Sequence, residues 1–297
     1  MKTPLRYPGG KSRAVKYILP LIPEDCGELC SPFLGGGSVE LAVAERGTKV
    51  YGYDIFAPLV WFWEALLEDP ERLSSISDSY RVEKEYDHKG KIERKKGLPL
   101  ESFRQFRDEI KEELSKKDPQ FSFDLAAKVY AINRSSFSGA TLSGGFSKRA
   151  SYARFTDSSI DRIRNFKEPN LLVQRMDFKQ SIARHPNAFL YLDPPYMLNK
   201  EWVPEHIDER SGKIIEGYWM DRDRLYGKDG NLHHSFDHRA LYNILTKRKN
   251  WVLSYNDSPE IRDLYRDYEI LKADWAYGMK NVTTKKMGSS SELLIIG

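Results

Sequence analysis

The sequence has few cysteines and no long apolar segment. Two cysteines in 297 residues exclude a disulfide-rich secreted scaffold and fit a reducing compartment. No apolar run approaches the roughly 20 residues of a membrane-spanning helix. The opening Met1-Lys2-Thr3-Pro4 lacks the apolar core of a signal peptide. We therefore expect a cytoplasmic protein with no membrane partner.

A clustered set of metal ligands is also missing. Cys26 and Cys30 are four positions apart, as are His234 and His238, and such spacings occur in zinc sites. Cys30, however, lies in an apolar segment, and the two pairs are far apart in the chain. We expect no metal.

Strong charge of one sign is absent, but the basic residues are unevenly spread. The net charge is +4 over the whole chain. Between Arg134 and Arg184 there are ten basic and four acidic residues, a local excess of +6. This excess is compatible with a polyanionic partner, and equally with a solvated surface that binds nothing.

The first half contains a strand, glycine loop, helix, strand and acid in succession. Residues 28–33 are predicted to be a strand that runs into Gly35-Gly36-Gly37, and residues 49–54 a second strand that ends at Asp54. This layout is typical of dinucleotide sites, where the acid binds ribose hydroxyls. The strict G-x-G-x-x-G pattern fails because position 40 is Glu40, and the loop has no basic residue for a pyrophosphate. A nucleoside ligand without phosphates, such as S-adenosylmethionine, fits better.

The N-terminal run Tyr7-Pro8-Gly9-Gly10-Lys11-Ser12 looks like the end of a phosphate-binding Walker loop. The first glycine of that motif would fall at position 5, which is Leu5, and no strand precedes it. We interpret the run as a flexible turn that delivers Lys11, followed by a short helix from about Arg13 to Leu19.

The segment Phe189-Leu190-Tyr191-Leu192-Asp193-Pro194-Pro195-Tyr196 predicts a buried strand that ends abruptly at an acid. The two prolines cannot donate to a sheet, so the chain leaves the sheet at its carboxyl edge. There Asp193 and the Pro194 carbonyl offer two acceptors, and Tyr196 offers an aromatic face. This combination suits a planar ring with an exocyclic amine. A simple Pro-Pro turn is the alternative.

The middle of the chain resembles an inserted block. Residues 57–132 are predicted to be mainly helical, with solvated helices across 81–117 and a loop around Gly90 and Gly97. The Gly/Ser-rich run from Ala131 to Arg149 is basic and contains Phe137 and Phe146, as a nucleic-acid contact loop requires. The alternative interpretation is an ordinary mobile surface loop. The long polar stretch 197–235 is either a functional lid or a partly disordered insert.

Taken together, these motifs resemble the Dam-type family of DNA adenine-N6 methyltransferases, and they occur in that family's order. The matching residues are Tyr-Pro-Gly-Gly-Lys (7–11), Pro-Phe-Leu-Gly-Gly-Gly-Ser (32–38), Asp54, Asn133-Arg134 and Asp-Pro-Pro-Tyr (193–196). The resemblance implies an α/β protein with a Rossmann-like methyltransferase sheet and a terminal antiparallel strand. It divides the chain into a split catalytic domain (1–56 and 155–297) and a helical target-recognition domain (57–154).

The resemblance also implies roles for individual residues. The cofactor S-adenosylmethionine would be bound by Tyr7, Lys11, Phe33, Gly35, Gly37, Asp54, Asp177, Phe178 and Asp193. The catalytic residues that hold a flipped adenine would be Asp193, Pro194 and Tyr196. The DNA-binding candidates are Asn133, Arg134, Ser136, Lys148 and Arg149, and guanine is the expected partner if Arg134 contacts a base.

Other activities stay open from the sequence. Asp193 favours adenine-N6 over cytosine-N4 methylation, RNA remains a possible substrate, and a DNA-binding regulator without catalysis is the rival from another class. We expect methylation of duplex DNA by a monomer or weak dimer in a bacterial, archaeal or phage-infected cell. Tyr7 replaces the family's usual Trp. The loop after Arg134 also differs from that of GATC-specific members, so the target sequence is undetermined, as is a use in restriction-modification, phage protection or regulation.

Overall fold

The computed structural model describes residues 1–88, 90–196, 200–203, 206–207, 214–215, 218–221, 236–274 and 291–297. Most of the polar stretch 197–235, including His234, lies outside the described residues. The predictions made for this stretch stay predictions.

The described residues form thirteen strands, of which seven build the main sheet. The strands are β1 (Glu28–Ser31), β2 (Lys49–Asp54), β3 (Val82–His88), β4 (Lys91–Gly97), β5 (Leu171–Arg175), β6 (Phe189–Leu192), β7 (Lys200–Val203), β8 (His206–Ile207), β9 (Ile214–Ile215), β10 (Tyr218–Asp221), β11 (Trp251–Asn256), β12 (Glu269–Asp274) and β13 (Ser291–Ile296).

The helices cover the sheet and build the inserted block. They are α1 (Val15–Ile18), α2 (Ser38–Ala44), α3 (Ala57–Glu68), α4 (Pro70–Ser79), α5 (Leu100–Ser115), α6 (Phe123–Ser135), α7 (Lys148–Arg154), α8 (Asp157–Arg164), α9 (Phe178–Arg184), α10 (His238–Leu245) and α11 (Pro259–Leu264). Short 3-10 turns lie at Leu19–Leu21 and Phe137–Gly139. Within the described ranges, no helix combines the length and apolarity needed to cross a membrane.

The main sheet is mostly parallel, with the order β12-β13-β11-β6-β1-β2-β5. Strands β5, β2, β1, β6 and β11 are parallel, and β13 runs antiparallel to both of its neighbours. The fold prediction is confirmed, including the late antiparallel strand. The chain leaves β1 towards β2 on one side, whereas β6 lies on the other side. This reversal is the switch point at which open α/β sheets bind ligands.

Alternation along the strands explains why both faces of the sheet are covered. In β1, Leu29 belongs to the apolar cluster on one face and Cys30 to the cluster on the other. In β6, Tyr191 and Leu190 divide in the same way. A strand with apolar side chains on both faces must be buried on both. The sequences of these strands therefore require a cover on both faces of the sheet, which gives three layers with the sheet in the middle.

The inserted block shares its core with the sheet. Helix α3 places Phe62 in a stacked contact with Tyr130 of α6, with ring centroids 5.4 Å apart. Its neighbour Trp63 packs against Phe166, 6.3 Å away. All four side chains belong to the apolar cluster that also contains sheet residues. Helix α3 therefore joins the block to the sheet, and the proposed domain division at residue 57 stays a prediction.

The helical prediction for the start of the 81–117 span is wrong. Residues 82–88 and 91–97 pair as the antiparallel strands β3 and β4, and Gly90 between them has a positive φ of 77°. Opposite charges face each other across it, for example Glu83 with Lys96 and Glu85 with Arg94. Such cross-strand pairs stabilise a strand register. The remainder of the span is helical as predicted, in α5.

Candidate active site

A cavity of about 980 Å³ opens at the carboxyl ends of the parallel strands. All eleven residues that the sequence singles out for cofactor binding and catalysis line it: Tyr7, Lys11, Phe33, Gly35, Gly37, Asp54, Asp177, Phe178, Asp193, Pro194 and Tyr196. They come from five separate stretches of the chain, at 7–11, 33–37, 54, 177–178 and 193–196. Their convergence makes the cavity the candidate site, while their individual roles stay predictions.

The glycine loop after β1 is shaped by two aromatic rings. Gly35 and Gly37 have positive φ angles of 49° and 65°. A Cβ on Gly36 would lie 2.9 Å from the Cβ of Tyr7, and one on Gly37 would lie 2.7 Å from the ring of Trp63. Glycine is needed at Gly37 for both its backbone conformation and its close approach to that ring. Trp63 also donates its indole N–H to the Gly35 carbonyl at 3.2 Å, a contact that the sequence analysis missed.

Asp54 joins the glycine loop to the end of β2. One carboxylate oxygen accepts the backbone N–H of Gly35 at 3.0 Å, and the other accepts that of Phe56 at 3.0 Å. Burial raises the pKa of Asp54 above its ordinary value, and these backbone donors oppose that rise. A carboxylate has about four lone-pair sites, so acceptor capacity remains for ligand hydroxyls.

Asp193 lies directly after β6 and forms an ion pair with Lys11. The Lys11 ammonium lies 2.7 Å and 2.8 Å from the two carboxylate oxygens and also donates to the Gly9 carbonyl at 3.2 Å. Ser254 on the neighbouring strand β11 donates its hydroxyl to Asp193 at 2.8 Å. The carboxylate is therefore held from two sides, and Ser254 is a further contact that the sequence did not indicate.

Tyr196 is tied to the antiparallel strand β13. Its hydroxyl donates to Oε1 of Glu292 at 2.7 Å, and the Lys11 ammonium lies 5.0 Å from its ring centroid. Burial raises the pKa of Glu292 to about 7, with Lys11 acting in the opposite direction. Glu292 is absent from the sequence-based site, although an acid at the start of the apolar run Leu293–Ile296 was a usable signal.

The side of the cavity near α9 is aromatic. Phe33 and Phe178 stack with ring centroids 5.7 Å apart, and Phe236 packs edge-on against Phe33 at 5.5 Å. Asp177 caps α9 by accepting the backbone N–H of Lys179 at 2.8 Å. Sequence reasoning found three of these residues and missed Phe236, which lies just after the long polar stretch.

Three predicted DNA-binding residues are buried, and this corrects the picture of an exposed contact loop. The Asn133 amide donates to the carbonyls of Arg6 and Gly139 at 2.7 and 2.9 Å. The Arg134 guanidinium donates to the carbonyls of Arg154 (2.8 Å) and Pro4 (3.3 Å), and Ser136 is fully buried. Backbone carbonyls thus take the donors that a base would need. This geometry gives no support to a direct contact between Arg134 and a guanine.

Other parts of the same loop face solvent. Lys148 and Arg149 begin α7 with exposed side chains, and Phe137 is 62% exposed despite its size. Gly139 to Ser143 line the cavity. Arg6, Arg134 and Arg154 lie close enough that burial and mutual repulsion lower the pKa of Arg6 to about 10. The loop therefore has one stretch that lines the cavity and other positions, Phe137, Lys148 and Arg149, that expose an aromatic ring and two cations.

Within the described residues, Cys26 and Cys30 are not grouped with other side chains that could bind a metal. Cys30 is buried, and burial raises the pKa of its thiol to about 12, so the thiolate that binds metals is disfavoured. Among the residues that the structure describes, no group of three or more His, Cys, Asp or Glu side chains could hold a metal ion. His234 lies outside them.

A mostly parallel sheet with one antiparallel strand between β11 and β12, and a glycine loop at its switch point, is consistent with the fold of the S-adenosylmethionine-dependent methyltransferases. The model of the D12 class N6 adenine-specific DNA methyltransferases matches residues 7–209, and the chain belongs to this family. It is also 21% identical over 310 residues to Type II methyltransferase M1.LlaDCHI of Lactococcus lactis subsp. cremoris, covering 98% of this chain and 93% of that protein. The family acts on adenine in DNA, which decides against the cytosine-N4, RNA and non-enzymatic alternatives.

Proposed function

We propose that the chain transfers the methyl group of S-adenosylmethionine to N6 of an adenine that has flipped out of duplex DNA into the cavity. The observation that carries the proposal is the convergence of the glycine loop, Asp54 and the Asp193–Tyr196 segment on one cavity. Base flipping costs a few kcal/mol, which stacking and contacts in such a pocket offset.

The cavity fits this cofactor in size and chemistry. Ligand pockets commonly measure about 300–1,000 Å³, so about 980 Å³ leaves room for a nucleoside cofactor beside a base. Phe33 and Phe178 offer flat apolar faces for a purine, and Asp54 retains acceptor capacity for ribose hydroxyls. When bound, S-adenosylmethionine supplies an electrophilic methyl group.

The residues around Asp193 suit an exocyclic amine. An adenine amine is a weak nucleophile because its lone pair is delocalised into the ring. Two acceptors, the Asp193 carboxylate and the Pro194 carbonyl, favour the more pyramidal nitrogen of the attacking state. Tyr196 offers a ring on which the base stacks. Lys11 and Ser254 orient the carboxylate before the base arrives, which reduces the reorganisation needed during reaction.

The basic loop supports a DNA substrate next to this cavity. Lys148 and Arg149 are exposed cations suited to phosphates, and Phe137 is an exposed ring suited to stacking. Because residues 139–143 of the same loop line the cavity, DNA held by the loop would lie at the cavity entrance. The relative in Lactococcus lactis is a Type II methyltransferase, and a restriction-modification role is our preferred biological use.

Single-molecule sequencing of genomic DNA tests the proposal. The wild-type protein and Asp193→Ala are expressed in cells that lack adenine methylation. We expect N6-methyladenine at one short motif with the wild type and none with Asp193→Ala. Unmodified DNA from a folded wild-type protein, or equal methylation by both proteins, would contradict the proposal. Titration of the purified protein with S-adenosylhomocysteine checks the cofactor separately.

A further inference from the structure

Glu292 is a buried acid in a strand whose following residues are all apolar. Its side chain is 1% exposed, and the next residues of β13, Leu293 to Ile295, belong to the core. Burial of a carboxyl group is costly unless hydrogen bonds or charges compensate. If this position served only the stability of the sheet, an apolar side chain would stabilise the fold more than a buried carboxyl group does.

The partners of Glu292 are the residues of the candidate site. Oε1 accepts the hydroxyl of Tyr196 at 2.7 Å and lies 4.0 Å from the Lys11 ammonium. Oε2 has no hydrogen-bond partner within the described part of the chain. Of the two contacts, only that with Tyr196 has hydrogen-bond length. Lys11 is already paired with Asp193 at 2.7 Å.

The hydrogen bond from the Tyr196 hydroxyl to Glu292 gives the ring an anchor that the neighbouring backbone does not provide. Tyr196 lies beyond β6, after two prolines that have no backbone N–H to donate. Glu292, in contrast, is fixed by strand pairing on both sides, opposite Asn256 of β11 and Ala273 of β12. The bond therefore anchors a ring at the end of a segment outside the sheet to one of the sheet's interior strands.

We propose that Glu292 is a positioning residue, which holds the Tyr196 ring at the angle needed to stack a flipped adenine against Asp193. The inference rests on the proposed function, because it assigns Tyr196 the stacking role. Glu292 touches neither the base nor the cofactor in this scheme, and its whole effect passes through the Tyr196 hydroxyl.

The test is a double-mutant cycle on purified protein, with a DNA duplex that carries the motif found by sequencing. The variants are Glu292→Leu, Tyr196→Phe and their combination, with Glu292→Gln as the conservative variant. Glutamine keeps an acceptor oxygen for the hydroxyl but removes the charge. We expect Glu292→Leu and Tyr196→Phe each to lower kcat/KM for DNA about tenfold, the loss of one hydrogen bond to a charged group. We expect the double variant to be no worse than the single ones, and Glu292→Gln to stay within about threefold of wild type.

Two further readouts separate positioning from general damage. Fluorescence of 2-aminopurine at the target adenine reports whether the base stacks after flipping, and we expect the same altered signal for Glu292→Leu and Tyr196→Phe. Affinity for S-adenosylhomocysteine, measured by calorimetry, should be unchanged in both. If Glu292→Leu does not fold, Tyr196→Phe still decides, because wild-type kinetics of that variant would refute the inference.

Several results would overturn the inference. Multiplicative losses in the double variant would mean that Glu292 acts independently of Tyr196. A Glu292→Gln variant as impaired as Glu292→Leu would mean that its charge, and so its effect on Lys11, is what matters. Wild-type activity of Glu292→Leu, with an inactive Asp193→Ala, would refute this inference and leave the proposed function standing. An active Asp193→Ala would instead refute the proposed function.

Discussion

Lys11 and Asp193, 182 positions apart in the chain, form an ion pair in which the ammonium lies within 2.8 Å of both carboxylate oxygens. Lys11 is 5% exposed and Asp193 is 22% exposed. The contact joins the N-terminal Gly-Gly turn to the end of β6. It places a cation directly beside the acceptor proposed for the target amine, so the two motifs that were recognised separately in the sequence form one unit.

Replacement of Lys11 by Met should weaken both stability and activity. Breaking a fully buried ion pair costs about 3–5 kcal/mol, and we expect about 2 kcal/mol here because Asp193 is partly solvated. Methyl transfer should fall more than about tenfold, since the carboxylate is no longer oriented. Urea unfolding and a methylation assay measure the two effects. Lys16→Met, at an exposed position of α1, is the control and should change stability by less than about 0.5 kcal/mol. A Lys11→Met variant equal to this control would contradict the prediction.

Glu40 predicts a pH dependence of stability. It is buried in the first turn of α2, directly after the glycine loop, and accepts the Ser31 hydroxyl at 2.6 Å. Burial raises the pKa of Glu40 from 4.5 to about 7, and that hydrogen bond opposes the rise. The folded state therefore holds its proton more tightly than the unfolded state. The stabilisation of the folded state by this proton is complete below pH 4.5 and is lost as the pH rises to about 7.

Glu40→Gln removes that titration while the amide oxygen still accepts from Ser31. We expect the variant to be more stable than wild type at pH 8, by a few kcal/mol at most (about 1.4 kcal/mol per pKa unit). The advantage should shrink towards pH 5. Urea unfolding across this range measures the difference, and a difference independent of pH would show that Glu40 does not titrate as described.

The parts of the site that the sequence predicted are those with local signals. The Gly35–Gly37 loop, Asp54 and Asp193 each lie at the end of a strand, and strand ends of a parallel sheet share one edge. Glu292 and Ser254 were missed because their nearness to Asp193 depends on the order β13-β11-β6, which no local pattern encodes. The hairpin β3-β4 was missed because charges of both signs on both faces hide the period of two.

Arg134 shows that a motif in a basic loop does not decide whether a side chain is exposed. The resemblance and the loop made Arg134 a candidate for DNA contact, whereas the structure surrounds its guanidinium with backbone carbonyls of Arg154 and Pro4. Arg134→Met should therefore lower the free energy of unfolding by about 2 kcal/mol, because several hydrogen bonds from a charged group are lost. The methylated motif should be unchanged, because no base contact is lost. Thermal unfolding and genome sequencing measure both. Relaxed preference at one base of the motif would restore the base-contact hypothesis.

Lys148→Met is the counterpart of Arg134→Met, because it removes an exposed cation of the same loop instead of a buried one. The side chain is exposed at the start of α7, so its loss should leave stability within about 0.5 kcal/mol of wild type. If Lys148 contacts a phosphate, the slope of log affinity for DNA against log salt should decrease by about 1. Fluorescence anisotropy at several salt concentrations measures this slope, and an unchanged slope would place Lys148 away from the DNA.

Phe137 tests whether the basic loop is the DNA-facing surface. It is 62% exposed, and the following Ser138 has a positive φ of 58°, so the ring is presented at a tight turn. A base that is unstacked, as beside a flipped adenine, gains about 1–3 kcal/mol when it stacks on an exposed ring. Phe137→Ala should therefore raise the Kd for duplex DNA about tenfold while the melting temperature stays the same. The control is Leu172→Ala, which removes a 47% exposed side chain from the edge strand β5. Equal DNA affinities for the two variants would show that exposure of Phe137 serves no DNA contact, and the recognition surface would then have to be sought elsewhere in residues 57–154.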